Sequence, residues 1–473
     1  MHSRTRFGWM VTLASIFCVV LVAVGVSLFA ASQRPAPVGA VATPSQFASP
    51  RSSATVPPLP GNDWTQYRYD VLGTAVNPEQ IIDSSNVDQL HSAWTYDNKG
   101  IPYESSPAIV DGIVYIPSGN TLGAYDLRTG AKLWTFTGIK PALGAVNSSV
   151  AVDRTRHLAY YGAPNGYVYA VDIQTGQGIW TTKIGEPDQG AYIWSSPLLV
   201  HDNVYIGLAS KNDHPCVRGS VVALDADDGT THWTHYTALP NETGGGVWSS
   251  VTADLDDHAI IATTGNPCTT NVSTYQQDSI VAMDWDTGTT IWSYKALDTD
   301  DCDCDFGQGA VTYTLAGQKY IVAGNKHGVM YGLARTASGV RLAWSTTIAQ
   351  NEYPNHGAVF QPPAYKDGVV YVAGGTLMDG SCAGALWALR GDTGAVVWSK
   401  CTGLRTISPG AITGDLLFVA LHNQFTAYDL KSGAILWHAP IAGDAWGGTA
   451  ISHGYVVVGV PNGKLYCFTL NKH

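Results

Sequence analysis

The chain has 473 residues, of which 45% are hydrophobic and only 13% are charged, so it is long enough to bury a large core. Lysine and arginine total 26 against 37 acidic residues, which gives a formal net charge of -11 at pH 7. This balance lacks the basic footprint of a protein that binds nucleic acid, and an acidic surface argues mainly for solubility.

Residues 1–31 are predicted to form a transmembrane helix that acts as a signal anchor. Arg4 and Arg6 precede an uncharged run from Trp9 to Ala31, which is close to the length of about 20 residues that a spanning helix needs. Basic residues before such a run keep the N-terminus in the cytoplasm. The alternative is a signal peptide cleaved after Ser32. The remaining chain is expected outside the cytoplasm in either case, membrane-anchored if uncleaved and secreted if cleaved.

Residues 32–61 are rich in Pro, Ser and Ala, which predicts a disordered, flexible linker. From residue 62 onward the chain changes character. Short apolar runs alternate with Gly-rich turns, and no long stretch shows an apolar pattern of helical period. Residues 62–473 are therefore predicted to form one all-β domain.

A phrase repeats through this domain: an apolar strand, an Asp, a turn that contains Gly, and then a Trp. A repeat of this size indicates a solenoid, a propeller or an array. Each unit contains four short apolar runs joined by turn signals such as Asp111-Gly112, which is typical of propeller blades. The complete and weaker copies end at Trp134, Trp180, Trp233, Trp292, Trp344, Trp398 and Trp437.

The predicted fold is an eight-bladed β-propeller. Seven copies of the phrase mark seven blades, and the tail from Trp446 to Leu470 supplies only three more strands. The missing outer strand is available in Gln89 to Tyr96, which contains the isolated Trp94. Pairing the two ends of the domain would seal the ring and protect the edges that an open array leaves exposed.

Seven cysteines lie in the propeller, and an oxidising compartment permits disulfides between them. The connectivity does not follow from sequence alone, and Cys467 is expected to be a buried, unpaired residue. Three candidate pairs can be named. Cys382 and Cys401 belong to one blade, and Cys216 and Cys268 fall in equivalent loops of adjacent blades. Cys302 and Cys304 are separated by a single residue.

Residues of unusual type fall in loops that should meet on one face of the propeller. Each inner strand begins on one face, and the loop between the second and third strands returns to that face. A site is therefore expected where these loops converge. The loops contain Glu104, Trp248, Asn266, the acidic cluster 298–305, and Lys326.

The acidic cluster is the sharpest of these signals. An extended segment would place Asp301, Asp303 and Asp305 on one side, and like charges so close together need a cation, a proton or solvent. Hard cations such as Ca²⁺ take carboxylate and amide oxygens as ligands, and Asn266 on the neighbouring blade can supply an amide. The alternative interpretation is a solvated acidic loop.

The other residues also have two interpretations each. Trp248 follows three glycines and is either an aromatic lid over a flat ligand or one more tryptophan that docks a blade. Lys326 either holds an anionic ligand or pairs with a carboxylate of the cluster. Glu104 either contacts a ligand or caps a turn.

These features resemble the propeller of the pyrroloquinoline quinone (PQQ) dehydrogenases, which include alcohol and polyvinyl alcohol dehydrogenases. The resemblance covers about residues 62 to 470 and begins with Trp64-Thr-Gln-Tyr, which is similar to that family's N-terminal signature. The loop motifs that carry it are Gly244-Gly-Gly-Val-Trp248, Thr264-Gly-Asn266-Pro, Asp300-x-x-Asp303-x-Asp305 and Asn325-Lys326-His327-Gly328.

The resemblance implies a role for each matching residue. Trp248 would stack on the quinone, Lys326 would contact its reactive carbonyls, and Glu104 would contact the cofactor near the axis. Asp303 would be the general base. The residues implied to ligate Ca²⁺ or a similar hard cation are Asn266, Asp303 and Asp305.

The chain departs from the family pattern at three places. The family often has two adjacent cysteines at the positions that Ala142 and Leu143 occupy in this chain. The family also has an Arg that would hold a quinone carboxylate, and Ser148 stands at that position here, directly after Asn147. A Glu metal ligand is expected close to His214, which stands beside Asp213.

The sequence therefore predicts a quinoprotein dehydrogenase that oxidises a small-molecule or polymer alcohol. Its electrons would pass to an external acceptor, because the chain contains no Cys-x-x-Cys-His haem motif. The competing hypothesis is a non-catalytic propeller that binds protein, peptide or glycan at the cell envelope, as outer-membrane assembly propellers of this repeat class do. The sequence does not predict an oligomeric state.

Overall fold

The structure is a computed structural model that describes residues 62–139, 146–212, 215–268, 272–349, 359–375, 381–382, 384–404 and 408–470. These residues form eight sheets, each built on four antiparallel strands, which confirms the all-β eight-bladed propeller. The predicted anchor (1–31) and linker (32–61) lie outside the described residues. Within the described part of the chain, no helix has the length and apolarity needed to cross a membrane.

The first four blades follow one another in chain order, and each runs from an inner strand at the axis to an outer strand at the rim. Short turns join the strands of each blade. The strands are Ala108–Val110, Ile113–Ser118, Thr121–Asp126 and Lys132–Thr137 in blade 1; Ala151–Asp153, Leu158–Gly162, Tyr167–Asp172 and Gly178–Lys183 in blade 2; Leu198–Val200, Asn203–Ser210, Ser220–Asp225 and Thr231–Tyr236 in blade 3; and Thr252–Asp254, Ala259–Thr263, Ser279–Asp284 and Thr290–Lys295 in blade 4.

Blades 5 to 7 repeat this plan, and blade 8 takes its outer strand from the N-terminal side of the domain. The strands are Val311–Leu315, Gln318–Gly324, Val329–Thr336 and Gly339–Thr347 in blade 5; Ala364–Lys366, Val369–Ala373, Ala385–Arg390 and Val396–Cys401 in blade 6; Ala411–Thr413, Leu416–Leu421, Gln424–Asp429 and Ile435–Pro440 in blade 7; and Thr449–Ser452, Tyr455–Gly459, Lys464–Thr469 and His91–Asp97 in blade 8. Shorter elements are the strands Val76–Asn77 and Ala191–Tyr192 and the 3-10 turns Val87–Gln89 and Pro187–Gln189.

The two ends of the domain close the ring, as predicted. Strand His91–Asp97 pairs antiparallel with Lys464–Thr469, so the last sheet combines one N-terminal and three C-terminal strands. The indole nitrogen of Trp94 then donates to the carbonyl of Leu127 in blade 1 at 2.8 Å. The closure therefore joins blade 8 to blade 1 through the same kind of contact, an indole N–H to a carbonyl, that Trp180 and Trp233 make with blades 3 and 4.

The repeated Asp–Gly–Trp motif encodes the docking of a blade on the next one, as blade 1 shows. In blade 1, Asp126 accepts hydrogen bonds from the backbone and hydroxyl of Thr129 at 2.8 and 2.7 Å, which fixes the turn. Trp134 donates to the carbonyl of Ile173 in blade 2 at 3.1 Å. A Cβ at Gly176 would lie 2.8 Å from the ring of Trp134, so only glycine permits this close packing.

An axial segment, residues 64–77, was not predicted from the sequence. It follows the central channel and contacts the inner strand of every blade in turn, which closes the channel with main-chain and amide hydrogen bonds. Its partners are Ile109, Val152, Leu199, Ala253, Thr312, Tyr365, Ile412 and Ile451.

Arg68 anchors this axial segment. Its guanidinium is buried and donates to the carbonyls of Ala310 and Pro363 at 2.8 and 2.7 Å, and also to that of Gly73. Burial lowers the pKa of Arg68 to about 10, which still leaves the side chain charged at neutral pH. One side chain thus joins blades 5 and 6 to the segment that passes beneath them.

All three candidate cysteine pairs form disulfides, and Cys467 is buried and free, as expected. The bond between Cys216 and Cys268 joins loops of blades 3 and 4, with a sequence separation of 52 residues. The bond between Cys382 and Cys401 lies within blade 6, with a separation of 19 residues.

Candidate active site

A cavity of about 620 Å³ opens where the loops before the inner strands meet the loops between second and third strands. This convergence agrees with the site position expected from the repeat. Tyr67 of the axial segment also lines the cavity, so the axial segment contributes to its wall. The cavity is lined by all of the predicted site residues: Glu104, Trp248, Asn266, Asp303, Asp305 and Lys326.

Two carboxylates converge on one ammonium group in this cavity. The nitrogen of Lys326 lies 2.6 Å from Oδ1 of Asp303 and 2.6 Å from Oδ1 of Asp305. Asp305 is almost fully buried, and its other carboxylate oxygen accepts a hydrogen bond of 2.9 Å from the indole of Trp248. The Lys326 nitrogen lies 5.0 Å from the centre of the Trp248 ring. The arrangement holds a positive charge between two acids and beside an aromatic face.

Burial and the charges of neighbouring groups shift the pKa values of Asp303 and Lys326. Burial raises the pKa of Asp303 to about 6; Asp305 adds to the shift and Lys326 opposes it. Burial alone would lower the pKa of Lys326, but the carboxylates of Asp305 and Asp303 outweigh it and raise that pKa. Lys326 therefore stays charged, while Asp303 is poised to exchange a proton near neutral pH.

The acidic segment is not extended, so the expectation that Asp301 shares a side with Asp303 and Asp305 is wrong. Asp303 has a φ of 53°, in the left-handed region. Asp300 causes the turn, because its Oδ1 accepts hydrogen bonds from the backbone of Cys302 and Cys304 at 3.1 and 2.9 Å. Local bonds of this kind compete with extended structure. Asp301 is exposed, and the cavity lining includes only Asp303 and Asp305 of this cluster.

Glycines hold the loop that leads to Trp248 against the loop of Asn266, because the N–H of Gly245 donates to the carbonyl of Asn266 at 2.9 Å. Gly244 has a φ of 99° and forms bridges with Arg218 on one flank and Pro267 on the other. A Cβ at Gly244 would lie 2.5 Å from the carbonyl oxygen of Asn266, so a larger residue would separate the loops. The disulfide between Cys216 and Cys268 ties the same two flanking loops, and both cysteines line the cavity.

Glu104 lies across the cavity in blade 1. Its carboxylate accepts a hydrogen bond of 3.1 Å from the amide of Asn147, and the hydroxyl of Tyr192 donates to the same amide side chain at 3.3 Å. Burial raises the pKa of Glu104, and the bond from Asn147 partly offsets this effect. Glu104 thus faces the cavity as one end of a hydrogen-bonded chain. Sequence reasoning missed the contribution of Asn147 to this wall.

A series of hydrogen bonds between serines, which we call the serine relay, borders the cavity near the axis. It was not predicted from the sequence. The backbone N–H of Ser106 donates to the hydroxyl of Ser149 at 2.9 Å, and that of Ser149 donates to Ser196 at 3.0 Å. Ser196 donates in the same way to Ser250 at 2.9 Å, so blades 1 to 4 are linked in series. The signal was available in the sequence, because a Ser-Ser pair begins each of these blades at 105–106, 148–149, 195–196 and 249–250.

One of the three departures from the family pattern lies within the described residues. Ser148, which stands where the family has Arg, is buried and its hydroxyl accepts the N–H of Gly162 at 3.0 Å. It supplies neither a charge nor a free acceptor to the cavity. The positions Ala142-Leu143 and Asp213-His214 lie outside the described residues, so the expected vicinal cysteines and Glu ligand have no described counterpart.

The residues fit a hard cation and a flat quinone at the reactive end of the site. Asn266, Asp303 and Asp305 provide an amide and two carboxylates, which are the oxygen donors that hard cations prefer. The ammonium of Lys326 already occupies the meeting point of both carboxylates, and in this respect it stands in for a cation. The indole face of Trp248 offers a platform for a planar ring.

Comparison with known proteins gives two family matches. Residues 64–340, more than half of the chain, match the family described as glucose/ethanol/alcohol dehydrogenase, beta-propeller domain. Residues 276–471 match the family of the outer membrane protein assembly factor BamB.

Individual relatives agree with the first match. A quinohemoprotein alcohol dehydrogenase of Comamonas testosteroni is 28% identical over 359 residues, which cover 65% of this chain and 50% of that protein. The quinoprotein alcohol dehydrogenase PedH of Pseudomonas putida is 23% identical, with coverage of 84% and 78%. The chain thus spans half the length of the first relative. A europium-containing methanol dehydrogenase has the same fold, with a TM-score of 0.75, 20% identity, and coverage of 86% and 98%.

Proposed function

Because the chain belongs to the family of glucose/ethanol/alcohol dehydrogenase β-propeller domains, we propose that it is a quinoprotein dehydrogenase that oxidises an alcohol with PQQ. The observation that carries this proposal is the meeting of Asp303 and Asp305 on the ammonium of Lys326, beside the face of Trp248. Two acids and a lysine that meet inside a cavity supply acid–base chemistry, which a scaffold alone does not use.

When bound, the quinone supplies two-electron oxidising chemistry, and a hard cation such as Ca²⁺ supplies Lewis-acid polarisation. Asn266, Asp303 and Asp305 would hold the cation. Trp248 would support the planar ring, and Glu104 would contact the quinone from blade 1.

Asp303 is the general base in this proposal. Its pKa of about 6 leaves it ionised at neutral pH, yet basic enough to accept the proton of a substrate hydroxyl. Lys326 keeps the carboxylate oriented through the 2.6 Å contact and remains charged throughout. Asp305 accepts the indole N–H of Trp248 and so holds the ring in place beside the base.

The substrate proposed is a small-molecule or polymer alcohol, and the electrons leave to an external acceptor. A cavity of about 620 Å³ is within the range of ligand sites, about 300 to 1,000 Å³, and its volume suits a cofactor with a substrate beside it. Trp446, which lines the cavity and is 48% exposed, offers an apolar contact for the carbon chain of such a substrate.

The proposal is tested by adding PQQ and Ca²⁺ to the purified full-length protein. We expect quinone absorbance to remain with the protein after gel filtration and the thermal midpoint to rise, because a ligand that binds only the native state stabilises it. If neither compound raises the midpoint, the dehydrogenase proposal fails and the scaffold hypothesis takes its place.

We also propose that the propeller lies outside the cytoplasm, either on an N-terminal membrane anchor or released by cleavage after Ser32. The uncharged run from Trp9 to Ala31 after two arginines supports an anchor or signal. The three disulfides support an oxidising compartment. Cell fractionation followed by N-terminal sequencing of the mature protein separates the two forms, and recovery in the cytoplasm would refute both.

A further inference from the structure

The proposed base is enclosed by a disulfide. Cys302 and Cys304 are bonded to each other, and the single residue between them is Asp303. The two Cα atoms lie 5.1 Å apart, which is within the usual range for a disulfide. The backbone at Asp303 is thus part of a small covalent ring, and its carboxylate projects from that ring to Lys326 at 2.6 Å.

The ring is fixed to the propeller on both sides. Cys304 is fully buried, and its sulfur lies 3.2 Å from Nδ1 of His327, the residue next to Lys326. On the other side, Asp300 accepts hydrogen bonds from the backbone N–H groups of Cys302 and Cys304. The disulfide therefore couples the acidic segment to the same loop that carries the lysine.

The conformation of Asp303 needs such a constraint. Its φ of 53° lies in the left-handed region, which residues other than glycine visit at a cost, although Asp tolerates it better than most. A free chain would relax toward the extended or right-handed regions and turn the carboxylate away from Lys326. A ring that contains only one intervening residue removes this freedom locally.

The same ring contributes little to global stability. A disulfide stabilises mainly by closing a loop in the unfolded chain, and this effect grows with loop length. The sequence separation is 2 residues for Cys302–Cys304, against 19 for Cys382–Cys401 and 52 for Cys216–Cys268. A bond that adds so little to folding has its effect in the local geometry that it fixes.

We propose that the Cys302–Cys304 disulfide is a positioning element for Asp303, and that it presents this carboxylate, together with that of Asp305, to a hard cation. The inference rests on the proposed function only in taking Asp303 as a cation ligand. Reduction of the disulfide would release Asp303 and weaken cation binding. In that step a dithiol such as dithiothreitol is oxidised to its cyclic disulfide, and the sulfur–sulfur bond of the protein becomes two thiols.

Half-burial leaves Cys302 accessible to such a reductant, whereas Cys304 is covered. Attack on Cys302 would release Cys304 as the leaving thiolate beside the imidazole of His327.

The test measures binding of Tb³⁺, a hard trivalent cation whose luminescence is sensitised by a nearby indole. The full-length protein is compared with the double variant Cys302→Ser/Cys304→Ser and with the control Cys382→Ser/Cys401→Ser. We expect Tb³⁺ affinity to fall at least about ten-fold in the first variant and to stay unchanged in the control. The thermal midpoint should fall more in the control than in the first variant, because the control loses the disulfide that closes the longer loop.

Treatment of the full-length protein with dithiothreitol, followed by its removal, should reproduce the loss of Tb³⁺ affinity, and reoxidation should restore it. The Cys302→Ser/Cys304→Ser variant should lose much less of its Tb³⁺ affinity under the same treatment, because only the other two disulfides remain to be reduced. Equal Tb³⁺ affinity in this variant and the unmodified protein would overturn the proposal, as would an absence of Tb³⁺ binding to the unmodified protein.

The outcome is separable from that of the proposed function. Tb³⁺ binding that depends on the disulfide, in a protein that shows no alcohol oxidation with PQQ, would retain this inference and reject the dehydrogenase. Hydrogen exchange gives a second readout, because the amides of Cys302 and Cys304 should exchange faster once the ring is opened.

Discussion

The side-chain nitrogen of Lys326 lies 2.6 Å from the carboxylate of Asp303, in a cavity on the face where the inner strands begin. Burial raises the pKa of Asp303 to about 6 although this lysine opposes the shift. The pair therefore combines an acid that exchanges protons near neutrality with a cation that keeps its charge. This combination suits general base catalysis.

Replacement of Asp303 by Asn should abolish alcohol oxidation and leave the fold intact. Loss of a general base typically costs about 10² to 10⁴-fold in rate, and Asn keeps the size and the tolerance of a left-handed backbone. Steady-state kinetics with a redox dye measure the loss, and the thermal midpoint reports the fold. Activity within about two-fold of the unmodified enzyme would show that Asp303 is not the base.

Cation binding to the metal-free protein should depend on pH. Below about pH 6 Asp303 is protonated and cannot ligate a cation, so affinity should fall as pH decreases through that value. Lys326 lowers the pKa of Asp303, so the Lys326→Met variant should move the midpoint to higher pH. Calorimetric titrations with Ca²⁺ at several pH values measure both effects. A flat profile between about pH 5 and 7 would be inconsistent with Asp303 as a ligand.

Removal of the Cys216–Cys268 disulfide should destabilise the protein strongly. Its sequence separation of 52 residues is the largest of the three disulfides, and the chain-entropy relation gives a loss of about 4 kcal/mol for such a loop. The variant Cys216→Ser/Cys268→Ser should also bind PQQ more weakly, because the bond ties the loops that flank Gly244. Urea unfolding measures the first effect, and unchanged unfolding would contradict it.

The variant Arg68→Ala should weaken the whole ring, because Arg68 joins the axial segment to the carbonyls of Ala310 and Pro363. Leaving buried carbonyls without a donor costs about 1 to 3 kcal/mol each, so we expect a total loss of about 3 kcal/mol or more. Arg341, exposed on the outer strand of blade 5, offers a matched control. Its replacement by Ala should change the free energy of unfolding by less than about 0.5 kcal/mol. Equal effects of the two variants would show that Arg68 is not an anchor.

The eight blades could be predicted because the information is local and repeated. The Trp that docks a blade and the glycine of its turn occur in one repeated motif, and the docking of Trp134 on Gly176 requires both residue types. The axial segment could not be predicted in the same way. It has no repeat, and each of its residues meets a different blade, as Thr65 meets Val152 and Thr74 meets Tyr365.

The position of the site also followed from the repeat, because the phase of the strands places Trp248, Asn266 and Lys326 on one face. The conformation of the acidic segment did not. Hydrogen bonds from two backbone N–H groups to Asp300, and a ring closed by neighbouring cysteines, override the extended pattern that alternating Asp residues suggest. The serine relay was visible as repeated pairs, but its hydrogen bonds run between blades and need the assembled ring.

The most direct test is the rate of alcohol oxidation by the full-length protein with a redox dye, measured with PQQ and Ca²⁺ together and with each alone. We predict saturable oxidation of a primary alcohol only when both are present, with the dye reduced in proportion to the alcohol consumed. No alcohol-dependent dye reduction in a protein that has bound both compounds would contradict the assignment of this cavity as a dehydrogenase site.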